Sequence, residues 1–118
     1  MESVKINTLE LDKAFAHVKE ENKMIGKYVV VRSNRAGVFA GVLAAKEGAA
    51  VTLTGCRKLW YWSGASDTLQ IAKEGVKRPN GCKFTVTVDS IEIQDAIEVI
   101  PTTAEAEASI KAVPVWKM

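Results

Sequence analysis

The segment from Tyr28 to Gly55 constrains the fold more than any other part of the chain. It contains "YVVVRS", "VFAGVLAA" and "AAVTLTG", three stretches rich in β-branched and apolar residues, separated by "NRAG" and "KEG". Such residues favour extended backbone, and short linkers that contain glycine are typical of hairpin loops. The segment therefore predicts a meander of antiparallel strands, and "CRKLWYW" should extend the sheet.

Helical patterns occur before this region and after it. The apolar spacing of "TLELDKAFAHVKEEN" predicts an amphipathic N-terminal helix over about residues 8–22, with Thr8 as its cap. "SDTLQIAKEG" predicts a short mid-chain helix that begins at Ser66 or Asp67 and ends at Gly75, where glycine suits a left-handed cap.

The last third of the chain adds strands and another helix. "KFTVTV" alternates cleanly, so Phe84, Val86 and Val88 are expected on one face of a strand, and "SIEIQDAIEVI" continues the sheet. Thr102 and Glu105 are spaced as a capping box for the helix "AEAEASIKA", and "VPVWKM" follows as an extended tail. The fold class is α+β, with a mostly antiparallel sheet.

Length and composition are those of an ordinary globular protein. The 118 residues are enough for one domain, 1–118, and 47% of them are hydrophobic while 25% are charged. No apolar run is long enough to span a membrane and no signal-peptide pattern is present, so we expect a cytoplasmic protein without membrane partners. Cys56 and Cys82 lack the spacing of a zinc site or a disulfide framework and are expected as free thiols.

The middle of the chain is both basic and aromatic. Between Lys27 and Lys83 there are ten Lys or Arg residues and three acids. Most of the aromatic residues lie in this interval or directly after it, namely Tyr28, Phe39, Trp60, Tyr61, Trp62 and Phe84. This combination suits a flat anionic ligand, although the charges could also cancel in the folded protein.

Residue patterns of catalysis are hard to find. His17 is expected as an exposed helix residue, and Glu92 and Asp95, three apart on a strand, should face opposite ways. Neither dinucleotide-binding nor triphosphate-binding glycine motifs occur; Gly37 and Gly41 are expected at a turn and at a bulge or close backbone approach. We therefore expect a binding protein with no catalytic residues, metal site or cofactor.

The stretch "RKLWYWSG", residues 57–64, is the strongest candidate for a binding surface. Strand alternation predicts two sets of residues that face opposite ways: Lys58, Trp60 and Trp62 on one face, and Arg57, Leu59 and Tyr61 on the other. In one interpretation the tryptophans pack in the core and Lys58 lies at its edge. In the other, Arg57 offers a guanidinium fork to phosphate, Tyr61 stacks on a base, and Ser63 lies within reach.

A second basic stretch, "VRSNRAG", supplies Arg32 and Arg35 around a turn. The turn's exposed amides and the two guanidinium groups could meet phosphate, or the stretch could be a solvated basic hairpin.

The chain resembles a known family of phage-encoded anti-Thoeris sponge proteins. The resemblance rests on "YVVVRSNRAGVFAGVL", "RKLWYWSGASDTLQIAKEGV", "CKFTV" and "SIEIQDAIEVI", and it covers roughly residues 28–100. It implies a non-enzymatic protein that sequesters a cyclic ADP-ribose-type immune signal, such as glyco-cyclic ADP-ribose, without degrading it. It also implies a homo-oligomer, dimer or hexamer, and a second site for cyclic oligonucleotides such as cyclic trinucleotides.

Carried over by position, the resemblance implies a set of ligand-binding residues: Arg57, Trp60, Tyr61, Trp62, Ser63, Phe84, Gln94, Arg32, Ser33 and Arg35. The chain departs from the family pattern at Ser33-Asn34 and near Gln94, so the ligand isomer stays open. A small β-rich nucleic-acid-binding module is the alternative function, and an enzyme that hydrolyses a signalling nucleotide is the third.

Overall fold

The computed structural model describes residues 23–117, which contain six strands and two helices. The strands are β1 (Tyr28–Ser33), β2 (Gly37–Glu47), β3 (Ala50–Tyr61), β4 (Lys83–Phe84), β5 (Val88–Ile93) and β6 (Ala96–Pro101). The helices are α1 (Thr68–Glu74) and α2 (Ala104–Ala112), and a 3-10 turn spans Pro79–Gly81. The α+β class, the single domain, the mostly antiparallel sheet and these two helices are confirmed. The predicted N-terminal helix, about 8–22, lies outside the described residues.

The sheet curls until its outer strands come together at one turn. β2 pairs with β1 and β3, β6 pairs with the other edge of β1, and β3 pairs with β5 and then with β4 along its other edge. Only Gln94 and Asp95 separate β5 from β6, so these two strands must approach each other there. The backbone N–H of Asn34 donates to the Asp95 carbonyl at 3.1 Å, which ties this turn to the turn between β1 and β2.

Core residues lie on both faces of the sheet. The helix-side core, between the sheet and the helices, consists of Tyr28, Val30, Ala40, Leu59, Ile71, Ala72, Val76, Cys82, Phe84, Ile110 and Val113. The inner core, on the opposite face, consists of Val29, Val31, Phe39, Leu43, Val51, Leu53, Cys56 and Ile93. Burial on both faces explains why β1 is a continuous run of apolar residues rather than an alternating one. Each fully buried valine or leucine stabilises the fold by roughly 1.5–3 kcal/mol relative to exposure.

Helix α1 has the cap that its sequence predicts. The Asp67 side chain accepts the backbone N–H of Gln70 at 3.0 Å. At the other end Gly75 has φ 78°, and its N–H donates to the Ile71 carbonyl at 2.8 Å. Positive φ is costly for residues with a Cβ, so glycine is required there.

Helix α2 begins one residue later than its sequence predicts. The Thr103 hydroxyl, and not that of Thr102, accepts the N–H of Ala106 at 3.0 Å. Thr102 instead donates its hydroxyl to the carbonyl of Tyr28 at 2.8 Å, at the start of β1. The predicted capping box of Thr102 and Glu105 is therefore wrong, because a tertiary contact takes the Thr102 hydroxyl.

The predicted continuous strand "KFTVTV" is also wrong. Between the pairs Leu59–Phe84 and Cys56–Val88, β3 advances three positions while the chain opposite it advances four. One extra residue reverses which face each later side chain occupies. Phe84 is accordingly fully buried, whereas Val86 and Val88 are 44% and 42% exposed.

Two glycines of β2 have the roles that the sequence predicts. Gly37 ends the turn after β1 with φ +104°. At Gly41 the pairing with β3 shifts register, and an added Cβ would lie 3.0 Å from the Cys56 Cα and the Thr54 carbonyl oxygen. This close approach of two strands explains why position 41 is a glycine.

Candidate functional site

A cleft of about 400 Å³ lies between the turn after β1 and the end of β3. Its lining residues define the tryptophan cleft: Arg35, Ala36, Gly37, Val38, Lys58, Leu59, Trp60 and Trp62. The turn supplies one cation and β3 supplies the other, together with both indoles. Three of the ten predicted ligand-binding residues, Arg35, Trp60 and Trp62, meet here.

The Ser33 hydroxyl fixes the turn that carries Arg35. It accepts the backbone N–H groups of Arg35 at 3.2 Å and Ala36 at 2.9 Å, and it donates to the Asp95 carboxylate at 2.5 Å. Ser33 is itself 5% exposed. Its position is that of a residue that organises the turn, which differs from the direct ligand contact implied by the family resemblance.

The Lys58 side chain lines the cleft and passes close to Gly37. A Cβ at Gly37 would lie 3.0 Å from the Lys58 Cε, so glycine leaves the space that the lysine side chain uses. The Lys58 ammonium lies 5.7 Å from the centre of the Phe39 ring, a cation–π contact. In the described part of the chain no carboxylate forms an ion pair with Lys58 or Arg35.

The two tryptophans of the cleft differ in burial. Trp60 is 55% exposed, and its ring stacks on that of Trp116 with centroids 5.1 Å apart and planes 18° from parallel. Trp62 is partly buried and packs against the helix-side core. Tyr61 is 52% exposed, since the pairing of β3 with β4 shifts register between Leu59 and Tyr61. The predicted alternation of faces along residues 57–62 is thus wrong from Tyr61 onward.

Charge distinguishes the tryptophan cleft from two neighbouring clefts. A cleft of about 340 Å³ shares Trp62 and Val38 with it but is lined by Asp67 and Glu98 as well as Arg32. A cleft of about 430 Å³ shares Arg35 but contains Glu92 and Asp95. A fourth, of about 250 Å³, is mainly apolar and shares Lys58. Among the described residues, the lining of the tryptophan cleft combines two cations that form no ion pair with two indoles and no carboxylate. This arrangement favours a flat anion.

Arg57 does not offer the free guanidinium fork that the sequence suggested. It is 4% exposed, and four of its five N–H groups donate to backbone carbonyls. These bonds run from Nε to Thr85 (3.0 Å), from Nη1 to Ile110 (3.0 Å) and Val113 (2.9 Å), and from Nη2 to Phe84 (3.2 Å). Burial lowers the pKa of Arg57. Arg57 therefore holds the carboxyl end of α2 against β4, where a cation also complements the helix dipole.

Phe84 is likewise interior. Its ring has no exposed surface, and the Arg57 guanidinium carbon lies 5.5 Å from the ring centre. Because Arg57 and Phe84 support the fold, replacing either one tests stability before it tests binding. The resemblance implies both as pocket residues. Arg57 contributes to the lining of the mainly apolar cleft of about 250 Å³, and neither residue lines the tryptophan cleft.

The remaining predicted residues lie away from the tryptophan cleft. Arg32 donates its Nε–H to Glu98 at 3.1 Å. Gln94 lies in the turn between β5 and β6 and donates to Glu92 at 2.6 Å. The N–H of Ser63 contacts the Cys82 sulfur at 3.4 Å. The sequence predicted that Glu92 and Asp95 lie on one strand. This is wrong, because β5 ends at Ile93 and Asp95 lies in the turn that follows.

Three contributing residues were missed at the sequence level. Lys58 alternates with Trp60 on one face of β3, a signal that was available but was interpreted as the edge of a core. Lys83 places its ammonium 5.3 Å from the Trp60 ring and 5.6 Å from the Trp116 ring. Trp116 lies in the tail after α2, and no periodicity connects it to β3.

Titratable and metal-binding groups add little to the site. Burial raises the pKa of Tyr28 to about 12 and that of Cys56 to about 12, and both side chains belong to the core. Cys56 and Cys82 are free thiols. Among residues 23–117 there is no cluster of three His, Cys, Asp or Glu side chains that could hold a metal ion, and none of the helices there is long and apolar enough to cross a membrane.

Comparison with known proteins assigns a family. No curated protein and no solved structure is significantly similar to the chain. A family model described as a domain of unknown function, DUF6948, matches residues 26–110. The match begins two residues before β1 and ends within α2, so it covers the whole sheet and the tryptophan cleft. The chain therefore belongs to the DUF6948 domain family.

Proposed function

We propose that this protein binds a compact anionic nucleotide in the tryptophan cleft and holds it without changing it. The observation that supports this most directly is the cleft itself, which has a volume of about 400 Å³. Its lining contains Arg35, Lys58, Trp60 and Trp62, and no carboxylate among the described residues. A volume of this size is within the range of small-molecule sites.

Each part of a nucleotide has a complementary group in the cleft. The Arg35 guanidinium suits bidentate contact with a phosphate, and the Lys58 ammonium supplies a second positive charge. An indole of Trp60 or Trp62 stacks on the base, an interaction worth roughly 1–3 kcal/mol per base. Ligands with two phosphates and one base match this set better than inorganic phosphate or a free base.

Sequestration without chemistry is the form of binding that the lining residues favour. None of the eight described residues in the lining carries a carboxylate, thiol, hydroxyl or imidazole, which are the side-chain groups that most often act as nucleophiles or general bases. Together with the resemblance to anti-Thoeris sponge proteins, this supports a cyclic ADP-ribose-type signal as the ligand. In that proposal the protein acts in the host cytoplasm as a phage anti-defence protein and assembles as a homo-oligomer.

The test is calorimetric titration of the protein with glyco-cyclic ADP-ribose, with linear ADP-ribose and inorganic phosphate as comparison ligands. We expect saturable binding of the cyclic nucleotide and weaker binding of the other two. The complex is then denatured, and the released ligand is compared with the starting material by chromatography. Recovery of a hydrolysed product would contradict sequestration and favour an enzyme.

A second candidate function is binding of single-stranded nucleic acid. The observation that favours it is an exposed aromatic surface beside the cleft, in which the Lys83 ammonium lies 5.3–6.0 Å from the rings of Trp60, Tyr61 and Trp116. Aromatic rings interleaved with cations are typical of proteins on which successive bases stack.

Salt dependence separates the two functions. A strand that contacts many phosphates releases many counterions, so its affinity falls steeply as salt rises. A compact ligand with two phosphates should lose less than about tenfold in affinity over the range in which a polyanion loses about a thousandfold. Fluorescence titration with oligothymidylate and with glyco-cyclic ADP-ribose at rising salt measures both slopes.

A further inference from the structure

We infer that Trp116 is a positioning residue of the nucleotide site: its indole fixes that of Trp60 at the rim of the tryptophan cleft. The inference rests on the proposed function. It adds to the site a segment of the chain beyond residue 110, where the family match ends.

The tail that carries Trp116 is attached to the domain at successive points. The Val113 carbonyl accepts an N–H of Arg57 at 2.9 Å. Val115 forms a parallel bridge with Phe84, and the Trp116 N–H donates to the Phe84 carbonyl at 2.8 Å. The tail therefore runs beside β4, and backbone contacts hold it there independently of the Trp116 indole.

The two indoles form a stacked pair at the rim. Their centroids are 5.1 Å apart and their planes differ by 18°, which is the geometry of offset stacking. The Lys83 ammonium lies within 6 Å of both ring centres and adds a cation–π contact to each. These contacts restrain Trp60, although 55% of its surface is exposed and it belongs to neither core.

Restraint of Trp60 before the ligand arrives should increase affinity. A side chain that becomes ordered only on binding loses conformational entropy at that moment, and this cost weakens the complex. Because Trp60 lines the tryptophan cleft and Trp116 does not, Trp116 acts through Trp60. Loss of the stack should weaken nucleotide binding about threefold to tenfold.

The experiment compares three variants in the full chain. Trp116→Ala removes the stacking partner, Trp116→Phe keeps an aromatic ring against Trp60, and Val115→Ala is the control, an exposed side chain of the same tail. Two quantities are measured for each: the order of the Trp60 indole N–H from its ¹⁵N heteronuclear NOE, and the affinity for glyco-cyclic ADP-ribose by calorimetry.

The expected result is that Trp116→Ala lowers both the order of Trp60 and the affinity, that Trp116→Phe restores both, and that Val115→Ala changes neither. Unchanged order of Trp60 in Trp116→Ala would overturn the inference, and so would lower order with unchanged affinity. If the unsubstituted protein binds no nucleotide, the proposed function fails and the inference fails with it. That outcome is distinct, because it is seen in the unsubstituted protein.

Discussion

Arg57 and Lys58 are neighbours in β3, yet their surroundings are opposite. Arg57 points to the helix-side core, and its guanidinium meets four backbone carbonyls. Lys58 points the other way, to an open cleft, where its side chain lies over the Phe39 ring and in the space left by Gly37. The first cation uses four of its five N–H groups within the protein, whereas the second lines an open cleft and forms no ion pair with the described residues.

The aromatic rings that face the two cations do not differ in this way. Phe84, which faces the Arg57 guanidinium, has no exposed surface, and Phe39, which faces the Lys58 ammonium, is only 5% exposed. A cation beside an aromatic ring therefore does not by itself indicate a binding site. What decides is the face of the strand and whether backbone carbonyls already accept the cation's N–H groups.

The largest expected effect comes from replacing the buried cation. Arg57→Ala leaves four carbonyls without their donor and should lower the free energy of unfolding by roughly 3–5 kcal/mol. Arg35→Ala, an exposed arginine of the cleft, is the matched control and should change it by less than about 0.5 kcal/mol. Urea denaturation followed by circular dichroism measures both changes. Similar values for the two variants would contradict the claim that Arg57, and not Arg35, supports the fold.

Contact between the two helices gives the next largest effect. A Cβ at Gly75 would overlap the Ser109 side chain of α2, and Gly75 has φ +78°. Gly75→Ala should therefore cost roughly 2–4 kcal/mol, from strain in the backbone and from overpacking. Gly48→Ala is the control, because Gly48 also has positive φ but faces open space, and we expect about 1 kcal/mol there. Thermal denaturation that ranks the two variants the other way would contradict tight packing of the helices on each other.

Alkaline pH tests the burial of Tyr28 in the helix-side core. Its pKa is raised to about 12 in the folded protein, chiefly by burial, whereas the pKa in the unfolded chain is about 10. The folded state thus keeps the proton longer, so the contribution of Tyr28 to stability is complete below pH 10 and is lost as pH rises towards 12, by roughly 2 kcal/mol. Tyr28→Phe should reduce this alkaline loss. An equally steep loss in the variant would mean that Tyr28 is not its source.

The smallest effect is expected at the exposed arginine of β1. Arg32 pairs with Glu98 at 3.1 Å, but the two side chains are 48% and 33% exposed. Exposed ion pairs contribute about 0–1 kcal/mol, so Arg32→Ala should lower the free energy of unfolding by about 0.5 kcal/mol or less. If Arg32→Ala lowered the free energy of unfolding as much as Arg57→Ala does, exposure would not explain how much each arginine of this sheet contributes to stability.

Local patterns in the sequence predicted much of the fold. The β-branched stretches, the glycine turns and the Asp67 cap are all local signals, and each appears in the structure. The position of β5 was not predictable in this way, since one extra residue opposite β3 reverses the faces of Val86 and Val88. Such a register shift depends on which strands pair, and periodicity within one strand does not report it.

The candidate site was predicted only in part, for the same physical reason. Arg35, Trp60 and Trp62 were chosen as candidate residues, and they line one cleft. Arg57 was misplaced because its acceptors belong to β4 and α2, which are distant in sequence. Trp116 was missed because its contact with Trp60 depends on the path of the tail beside β4.

The most direct test of the account is the nucleotide affinity of the double variant Arg35→Gln/Lys58→Gln, measured by calorimetry with glyco-cyclic ADP-ribose. Arg32→Gln is the matched control, since it removes an exposed cation outside the tryptophan cleft. We predict that the double variant folds normally and binds at least about tenfold more weakly, a loss of about 1.4 kcal/mol, while Arg32→Gln binds like the unsubstituted protein. Equal affinity in all three proteins would contradict the claim that the tryptophan cleft is the binding site.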